Sequence, residues 1–291
     1  MHIFKEIGPL KAYLKHHRSA QTSVGLIPTM GALHKGHISL VEASKRDNTI
    51  TVCSIYVNST QFNIPADLEK YPRTLEKDIQ MLKDAGCQVA FCPNDLEMYP
   101  EAHKLNFDFG PLDKILEGEF RPGHFSAVAL VVCKFFNIVQ PDCAYFGQKD
   151  FQQVRIISRL AAELKFDLTV ISAPIVREAD GIAMSSRNMR LSPDERSRAV
   201  VLFQSLNLTR DGLLQGESFS SLKERVKERC IQSNVKLEYL ALAETKNLTP
   251  LENVMEPTQT ILLIAAYVGE VRLIDNLLLI ENENYNKTPA G

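Results

Sequence analysis

The stretch VGLIPTMGALHKGHISLVEASKR, residues 24–46, joins three local patterns in succession. Residues 24–29 form a short apolar run, and proline and glycine lie in and just behind it. In the second half of the stretch, Ile38, Val41 and Lys45 recur at helical spacing. This order predicts a β-strand, a glycine-containing turn and an α-helix.

The alternation of strand-like and helical segments continues to about residue 176. Further strand-like runs lie at 49–57, 87–92, 144–146 and 168–176, and helical patterns lie at 75–85, 125–139 and 153–164. Gly86 and Pro141 follow two of these helices and end them. Because strands that alternate with helices favour parallel pairing, we predict an α/β fold with a doubly wound, Rossmann-like parallel sheet.

The pattern changes beyond Ser186. Ser192 is a helix N-cap with Pro193 behind it, and the helix they start continues through 198–214. A second helix begins near Ser220, strand-like runs follow at 237–243 and 259–268, and a polar tail begins at about Asn282. We therefore expect a domain boundary near residue 180, with a Rossmann-like domain at 1–180 and a smaller α+β domain at 181–291.

Composition excludes several classes of protein. The chain has 291 residues, 45% of them hydrophobic and 23% charged, which is ordinary for globular proteins and excludes disordered or fibrous ones. A formal charge of -2 provides no basic field for nucleic acid. The longest apolar run, 261–268, is far shorter than the ~20 residues of a membrane span, and no signal-peptide pattern opens the chain. We expect a cytoplasmic protein that binds neither membrane nor nucleic acid, with its six cysteines reduced.

The turn before the second helical pattern carries the strongest chemical signal. Gly31 and Gly36 permit close backbone approach, while His34 and His37 lie beside a helix N-terminus, where backbone N–H groups attract phosphate. Exposed histidines at an ordinary helix start are the alternative. The position directly after the first strand of an α/β sheet favours a phosphate site, because ligands bind at the carboxyl ends of such strands.

A second signal is Met-Ser-Ser-Arg at 184–187, where two hydroxyls and a guanidinium follow one another and could close over a triphosphate as a loop. An exposed serine-rich loop is its alternative. The chain contains neither GxxxxGK[ST] nor GxGxxG. A His-x-Gly-His turn with a distant Met-Ser-Ser-Arg segment resembles the nucleotidyl-transferring superfamily that includes class I aminoacyl-tRNA synthetases.

Two further segments follow strands and carry polar side chains. Lys149 lies where a strand passes into a helix and suits a phosphate, although a Lys-Asp surface turn is the alternative. Gln153, one helical turn later, can hydrogen-bond a polar substrate. After the second strand, Asn58 and Gln61 are neutral amides bounded by aromatic residues, and they fit a hydroxy acid better than a metal.

Seven motifs in order resemble the pantothenate synthetase family, which joins pantoate to β-alanine using ATP. They span residues 24–278 and comprise PTMGALHKGH (28–37), VNxxQF (57–62), KYPRT (70–74), EGxxRPGHF (117–125), GQKDFQQ (147–153), READGIAMSSRN (177–188) and VGxxRLIDN (268–276). One departure is Ser59, where the family usually has proline.

The resemblance implies a residue set for each ligand. The catalytic residues would be His34, His37, Lys149 and Arg187. ATP would contact Met30, Gly31, His34, Gly36, His37, Gly147, Gln148, Lys149, Asp150, Val176, Met184, Ser185, Ser186 and Arg187. The substrate acids would contact Asn58, Gln61 and Gln153, with Arg121 and His124 in a loop that folds over them. Asp78 is open between a Mg²⁺ or pyrophosphate contact and a solvated acid on a helix face.

The resemblance also implies a reaction and partners. Residues 1–180 would bind MgATP and pantoate and form a pantoyl adenylate, residues 181–291 would act as a lid, and β-alanine would then release AMP. No bound organic cofactor, an unassigned set of Mg²⁺ ligands and a homodimer are expected. The alternatives are a nucleotidyltransferase that stops at the adenylate or makes a dinucleotide, a tRNA-charging enzyme, and a non-catalytic nucleotide-binding protein.

Overall fold

The computed structural model describes residues 1–280 and 287–289, and the chain forms two compact units. The first unit contains Met1–Gly147, Gln152–Ala173 and the strand at 287–289, and the second contains Gln148–Phe151 and 174–280. The functional division into 1–180 and 181–291 stays a prediction. The polar tail expected from Asn282 lies outside the described residues, except for 287–289.

The first unit is built on a seven-stranded sheet. Its strands are β1 (His2–Phe4), β2 (Val24–Thr29), β3 (Ile50–Ile55), β4 (Val89–Phe91), β5 (Cys143–Gly147), β6 (Thr169–Ala173) and, from the C-terminal end of the chain, β10 (Lys287–Pro289). The spatial order is β1-β4-β3-β2-β5-β6-β10, and β10 alone is antiparallel to its neighbour. The predicted parallel α/β sheet is confirmed, and the two short edge strands β1 and β10 are additions that the sequence patterns did not indicate.

Helices connect these strands. They are α1 (Ile7–His17), α2 (Lys35–Asp47), α3 (Pro65–Glu69), α4 (Leu75–Asp84), α5 (Asp95–Met98), α6 (Glu117–Phe120), α7 (His124–Val139) and α8 (Phe151–Glu163). The predicted helices correspond to α2, α4, α7 and α8, within two residues at each end. The expected strand at 168–176 is shorter because Pro174 follows its last residue, Ala173.

Strand β2 lies in the middle of the sheet, at the point where the strand order changes direction: β3 and β4 follow on one side of it, and β5 and β6 on the other. Gly25 lies under α2, where a Cβ would come within 2.1 Å of the Ser44 side-chain oxygen, so glycine allows the helix to approach the strand closely. The β2–β5 pairing includes only Gly25 and Leu26 on β2. Pro28, which has no N–H to donate, lies beyond this pairing. The two strands therefore lose their pairing toward their carboxyl ends, which is where open α/β sheets bind ligands.

The second unit is a three-stranded antiparallel sheet with helices. It contains α9 (Pro193–Ala199), α10 (Val201–Leu214), α11 (Phe219–Gln232), β7 (Lys236–Glu244), β8 (Thr260–Val268) and β9 (Val271–Leu278). Buried Leu206, Leu222 and Ile264 belong to its apolar core. The expected single helix after Ser192 is wrong, because the chain forms two helices that meet at Val200.

Strand β9 was not predicted, because buried Asp275 and Asn276 interrupt its apolar alternation. It pairs with β8 over its whole length. Among the residues that the structure describes, no helix combines the length and the apolar character that a bilayer span requires.

All six cysteines are free thiols, and Cys53, Cys87, Cys92 and Cys230 are buried. Burial raises the pKa of Cys87 and Cys92 to about 11, so that about one thiol in a thousand is ionised at pH 8. We expect 5,5′-dithiobis(2-nitrobenzoate) to modify the buried thiols slowly in the native protein and all six rapidly in guanidinium chloride. Fast native reaction of the buried thiols would contradict this core assignment.

Candidate active site

The strand ends bring three of the predicted segments to one edge of the sheet. Strand β2 lies between β3 and β5, and all three run parallel. Their carboxyl ends lead into residues 30–37, residues 56–61 and Gly147 respectively. Because parallel strands end at a common edge, these segments are neighbours around the carboxyl end of β2.

The turn after β2 is built around a buried carboxylate. Gly31 and Ala32 both have positive φ, +80° and +50°, which turns the next two backbone N–H groups in the same direction. Asp78 on α4 accepts both, from Ala32 N at 2.9 Å and from Leu33 N at 2.8 Å. The Thr74 hydroxyl donates to the same carboxylate at 3.1 Å. A buried carboxylate with three donors anchors the turn to α4.

This geometry decides one of the two alternatives for Asp78. Its side chain is only 1% exposed, so it is not a solvated acid on a helix face. Both carboxylate oxygens accept hydrogen bonds from this part of the chain, so the residue has a structural task, and the Mg²⁺ or pyrophosphate contact stays a prediction. A Cβ on Gly31 would lie 2.9 Å from Asp78 Oδ2, so Gly31 allows the backbone to approach this carboxylate.

His34 and His37 form a reciprocal cap at the start of α2. His34 Nδ1 accepts from Gly36 N at 3.2 Å, and His37 Nδ1 accepts from His34 N at 3.3 Å. An Nδ1 that accepts from a backbone N–H carries no proton, so each neutral ring has its proton on Nε2. The ring centroids are 4.0 Å apart. The pair thus presents two neighbouring Nε2–H donors at a helix N-terminus, which suits phosphate oxygens.

The amides predicted for the hydroxy acid lie together and are buried. Asn58 precedes a 3₁₀ turn at Ser59–Gln61, and its Nδ2 donates to Gln61 Oε1 at 3.2 Å. Gln61 Nε2 lies 3.2 Å from the Met30 sulfur, which connects the segments after β2 and β3. Ser59 occupies the first position of the turn, a position that also accepts proline.

His124, the first residue of α7, contacts the segment that carries Gln61, and Arg121 lies three residues before it. His124 is buried, and its Nε2 lies 3.0 Å from Arg121 Nη1. Because a guanidinium only donates, this Nε2 accepts and the proton is on Nδ1, which donates to the Gln61 carbonyl at 2.9 Å. His124 therefore connects Arg121 to the segment that carries Gln61.

The two glutamines at the start of α8 have different surroundings. Gln153, the predicted substrate contact, is partly exposed. Gln152 is buried and donates to the carbonyls of Leu112 and Ile115 at 2.8 and 2.9 Å, while its Oε1 accepts from Glu117 N at 3.0 Å. Sequence reasoning missed Gln152, and its position inside the GQKDFQQ motif was the only signal for it.

In the second unit, Lys149 lies in a 3₁₀ turn at Gln148–Asp150, between β5 and α8, as the sequence predicts. Its Nζ is 3.7 Å from Asp150 Oδ1, and its side chain is only 16% exposed. Asn276 on β9 donates to the carbonyls of Gln148 and Lys149, each at 2.9 Å. Neither Asn276 nor this connection was expected from the sequence.

The last two residues of the Met-Ser-Ser-Arg segment begin a 3₁₀ helix, Ser186–Arg190, where a loop was expected, and Met184 and Ser185 precede it. Met184 N donates to the Val176 carbonyl at 2.9 Å, which brings two predicted nucleotide contacts together. Ser185 Oγ caps the helix by accepting from Arg187 N at 3.2 Å.

The base of this segment is supported by an ion-pair network. Asn188 Nδ2 donates to Glu178 Oε1 at 2.9 Å, and Arg196 contacts both Glu178 and Asp180 at 2.8 Å. These contacts fasten the segment to α9 and explain why it forms a helix.

A parallel α/β sheet with a His-x-Gly-His cap after its central strand, in a chain that also carries a Met-Ser-Ser-Arg segment, defines a nucleotidyl-transferring enzyme. The model of the pantoate–β-alanine ligase family matches residues 2–278. A pantothenate synthetase from Cytophaga hutchinsonii is 43% identical over 276 residues, which are 94% of this chain and 98% of the relative. The chain belongs to the pantoate–β-alanine ligase family.

Solved structures agree with this membership. A pantothenate synthetase from Thermus thermophilus is 39% identical and superposes with a TM-score of 0.89 over 97% of this chain and 100% of that one. A pantoate–β-alanine ligase from Francisella tularensis, crystallised with "Beta-gamma ATP" and β-alanine, is 32% identical, with a TM-score of 0.80 over 97% and 99%. The chain is therefore a ligase of the same fold.

The Asp78 anchor gives a direct test. Asp78→Asn replaces an acceptor oxygen with an N–H donor that faces a backbone N–H, so we expect a loss of about 1 to 3 kcal/mol in the free energy of unfolding. Urea titration with circular dichroism measures it. Asp84→Asn, an exposed position on the same helix, is the matched control and should change stability by less than about 0.5 kcal/mol. An unchanged stability together with an altered Mg²⁺ requirement would contradict the structural task and favour the metal-contact interpretation.

Proposed function

We propose that this ligase forms pantothenate in two half-reactions, with ATP activating the pantoate carboxylate. The observation that carries the proposal is the paired histidine cap, because protons on Nε2 of both rings and the N-terminus of α2 suit the negatively charged phosphate oxygens of ATP. The ATP and β-alanine named for the Francisella tularensis structure support the choice of substrates.

In the first half-reaction, a pantoate carboxylate oxygen attacks the α-phosphorus of MgATP. The bond between the α-phosphorus and the α–β bridging oxygen breaks, and pyrophosphate leaves with that electron pair. His34, His37, Lys149 and Arg187 stabilise the charge that develops on the phosphate oxygens. The product is pantoyl adenylate.

In the second half-reaction, the neutral amine of β-alanine attacks the acyl carbonyl of the adenylate. The bond between the carbonyl carbon and the AMP oxygen breaks, AMP leaves, and the nitrogen loses a proton to give the amide. No covalent bond to the protein forms. Exclusion of water is needed because the acyl phosphate would otherwise hydrolyse.

The buried amides support the placement of pantoate. Asn58 and Gln61 offer neutral donors and acceptors for its hydroxyl groups, and Gln153 adds a third from α8. The Arg121 guanidinium, connected to the Gln61 carbonyl through His124, adds positive charge beside this pocket for a carboxylate.

The remaining nucleotide contacts complete the proposal. Met30, Gly31, Gly36, Gly147, Gln148, Asp150, Val176, Met184, Ser185 and Ser186 would contact ATP, and Mg²⁺ would enter with the triphosphate as part of the substrate. In the cell we propose a cytoplasmic homodimer, on the basis of the family resemblance. Sedimentation equilibrium of the purified chain tests the dimer.

The adjacent glutamines of α8 test the pantoate site. Gln153→Ala removes a predicted hydrogen-bond partner of pantoate, so we expect the KM for pantoate to rise by about tenfold, equivalent to about 1.4 kcal/mol, with little change in ATP affinity or stability. Gln152→Ala is the matched control and should lower the unfolding temperature without a selective effect on this KM. Steady-state kinetics with each substrate varied and calorimetric melting separate the two variants, and the reverse pattern would move the pantoate site away from Gln153.

The function itself is tested by isotope exchange. With MgATP and pantoate present and β-alanine absent, labelled pyrophosphate should enter ATP, because the first half-reaction is reversible. Lys149→Ala and Arg187→Ala should slow this exchange by about 100- to 1000-fold. Lys223→Ala, an exposed lysine on α11, is the matched control and should exchange at the wild-type rate.

Three outcomes would overturn the proposal. Exchange only after β-alanine is added would exclude a free adenylate step. Exchange without any acid would indicate a different nucleotidyl acceptor. Exchange that never leads to pantothenate once β-alanine is supplied would indicate a nucleotidyltransferase that stops at the adenylate.

A further inference from the structure

The VGxxRLIDN motif at 268–276 is unused by the proposed reaction, yet it contains a buried asparagine whose side chain makes three hydrogen bonds. Asn276 is 1% exposed. Its Nδ2 donates to the carbonyls of Gln148 and Lys149, both at 2.9 Å, and its Oδ1 accepts from Gln148 Nε2 at 3.3 Å. One side chain on β9 therefore binds the main chain of the lysine turn at two successive carbonyls.

The neighbouring Asp275 makes an equally specific set of contacts. Its carboxylate accepts two hydrogen bonds from the Arg177 guanidinium, at 2.6 and 3.1 Å, and a third from Asn276 N at 2.8 Å. Burial raises the pKa of Asp275, and the Arg177 charge opposes this shift. A bidentate pair at a buried position defines both the distance and the orientation of its two side chains.

Arg177 extends the network to the Met-Ser-Ser-Arg segment. Its guanidinium donates to the Gly181 carbonyl at 3.1 Å and stacks on Phe203, with the central carbon 3.8 Å from the ring centroid. Arg177 also pairs with Ala183 in an antiparallel bridge, one residue before Met184. Strand β9 thus contacts the Lys149 turn directly through Asn276. Its connection to the start of residues 184–187 is indirect and runs from Asp275 through Arg177 to Ala183.

We propose that Asn276 is the positioning residue for Lys149, and that β9 aligns this lysine with the Met184–Arg187 segment as one rigid assembly. The proposal rests on the proposed function, in which Lys149 and Arg187 act on the same phosphates. It explains why Gln148–Phe151 belongs to the second unit, although the chain reaches it directly from β5 of the first.

The chemistry of the site explains why an asparagine is present. Two carbonyl oxygens require two N–H donors from one short side chain, and the amide of asparagine provides both while its oxygen accepts from Gln148. Aspartate has the same shape but would direct carboxylate oxygen at the carbonyls. Alanine would leave the two partly buried carbonyls without these donors.

The experiment compares Asn276→Ala with a matched control, Asn48→Ala, in the full-length protein. Asn48 is also a buried amide that donates twice, to the Ser44 carbonyl at 3.0 Å and the Tyr145 hydroxyl at 2.7 Å, but it lies in the first unit. Asn276→Ser, which keeps one hydroxyl donor, is measured in parallel. The readouts are pantoate-dependent exchange of pyrophosphate into ATP and hydrogen exchange of the peptide that spans 147–153.

We expect Asn276→Ala to lower kcat for pyrophosphate exchange by about 100-fold, the effect of a misplacement of about 1 Å, with the KM for pantoate unchanged. Hydrogen exchange at 147–153 should accelerate in this variant and not in Asn48→Ala. The rate of Asn276→Ser should fall between those of wild type and Asn276→Ala. In a Lys149→Ala background, Asn276→Ala should reduce the rate by less than about twofold more, because the group that it positions is absent.

Several results would overturn the inference. Wild-type exchange kinetics in Asn276→Ala, additive losses with Lys149→Ala, or equal effects of Asn48→Ala would each do so. Failure of both Asn276 variants to fold, while Asn48→Ala folds, would assign the residue to general stability. A wild-type protein without any pyrophosphate exchange would defeat the proposed function instead, and hydrogen exchange at 147–153 would still decide whether Asn276 orders the turn.

Discussion

Two successive backbone N–H groups that bind one buried carboxylate are the constraint on which the first unit's site depends. The chain leaves β2 inside the protein and must turn at once into α2, and positive φ at Gly31 and Ala32 directs two amide donors inward. Asp78 accepts from both, so neither of these buried donors is left without an acceptor. The histidine cap at the start of α2 follows two residues later, and its geometry depends on where this turn ends.

In the second unit a side chain also satisfies the main chain of a turn, but here the side chain donates and the main chain accepts. Around Lys149 the partly buried turn presents carbonyl oxygens, and the buried side-chain amide of Asn276 supplies the donors. In both units, a polar side chain from an element distant in sequence satisfies a tight turn that carries proposed nucleotide contacts. Such buried hydrogen bonds are costly to break singly, which makes them suitable for defining the position of a charged or catalytic group.

Local signals in the sequence predicted much of the fold. Apolar runs, helical spacing and helix stops identified the strands β2 to β6 and the helices α2, α4, α7 and α8, because these signals depend on neighbouring residues. The same reasoning missed β9, because its polar residues Asp275 and Asn276 interrupt the apolar pattern. Their side chains bind partners outside the strand, Arg177 and the turn at 148–149. It also merged α9 with α10, since no glycine or proline marks their junction at Val200.

The sequence allowed the types of the candidate site residues to be selected, but it did not allow their hydrogen-bond partners to be predicted. It selected His34, His37, Lys149 and Gln61 as polar groups after strands, which is where the structure has them. It could not find that each imidazole accepts a backbone N–H, that His124 carries its proton on Nδ1, or that Gln152 supports the segment at 112–117. Tautomers and donor–acceptor roles depend on what faces each atom in space.

The sequence by itself determined the alternation of strands and helices, the order of the motifs and the family, because propensity, periodicity and motif spacing are properties of nearby residues. Only the tertiary structure decided the hydrogen-bond partners of Asp78 and Asn276. Asp78 lies 46 residues from Ala32, and Asn276 lies 127 residues from Lys149. No local pattern specifies which distant acceptor or donor a turn will meet, since that depends on how packing of the apolar core closes the intervening chain.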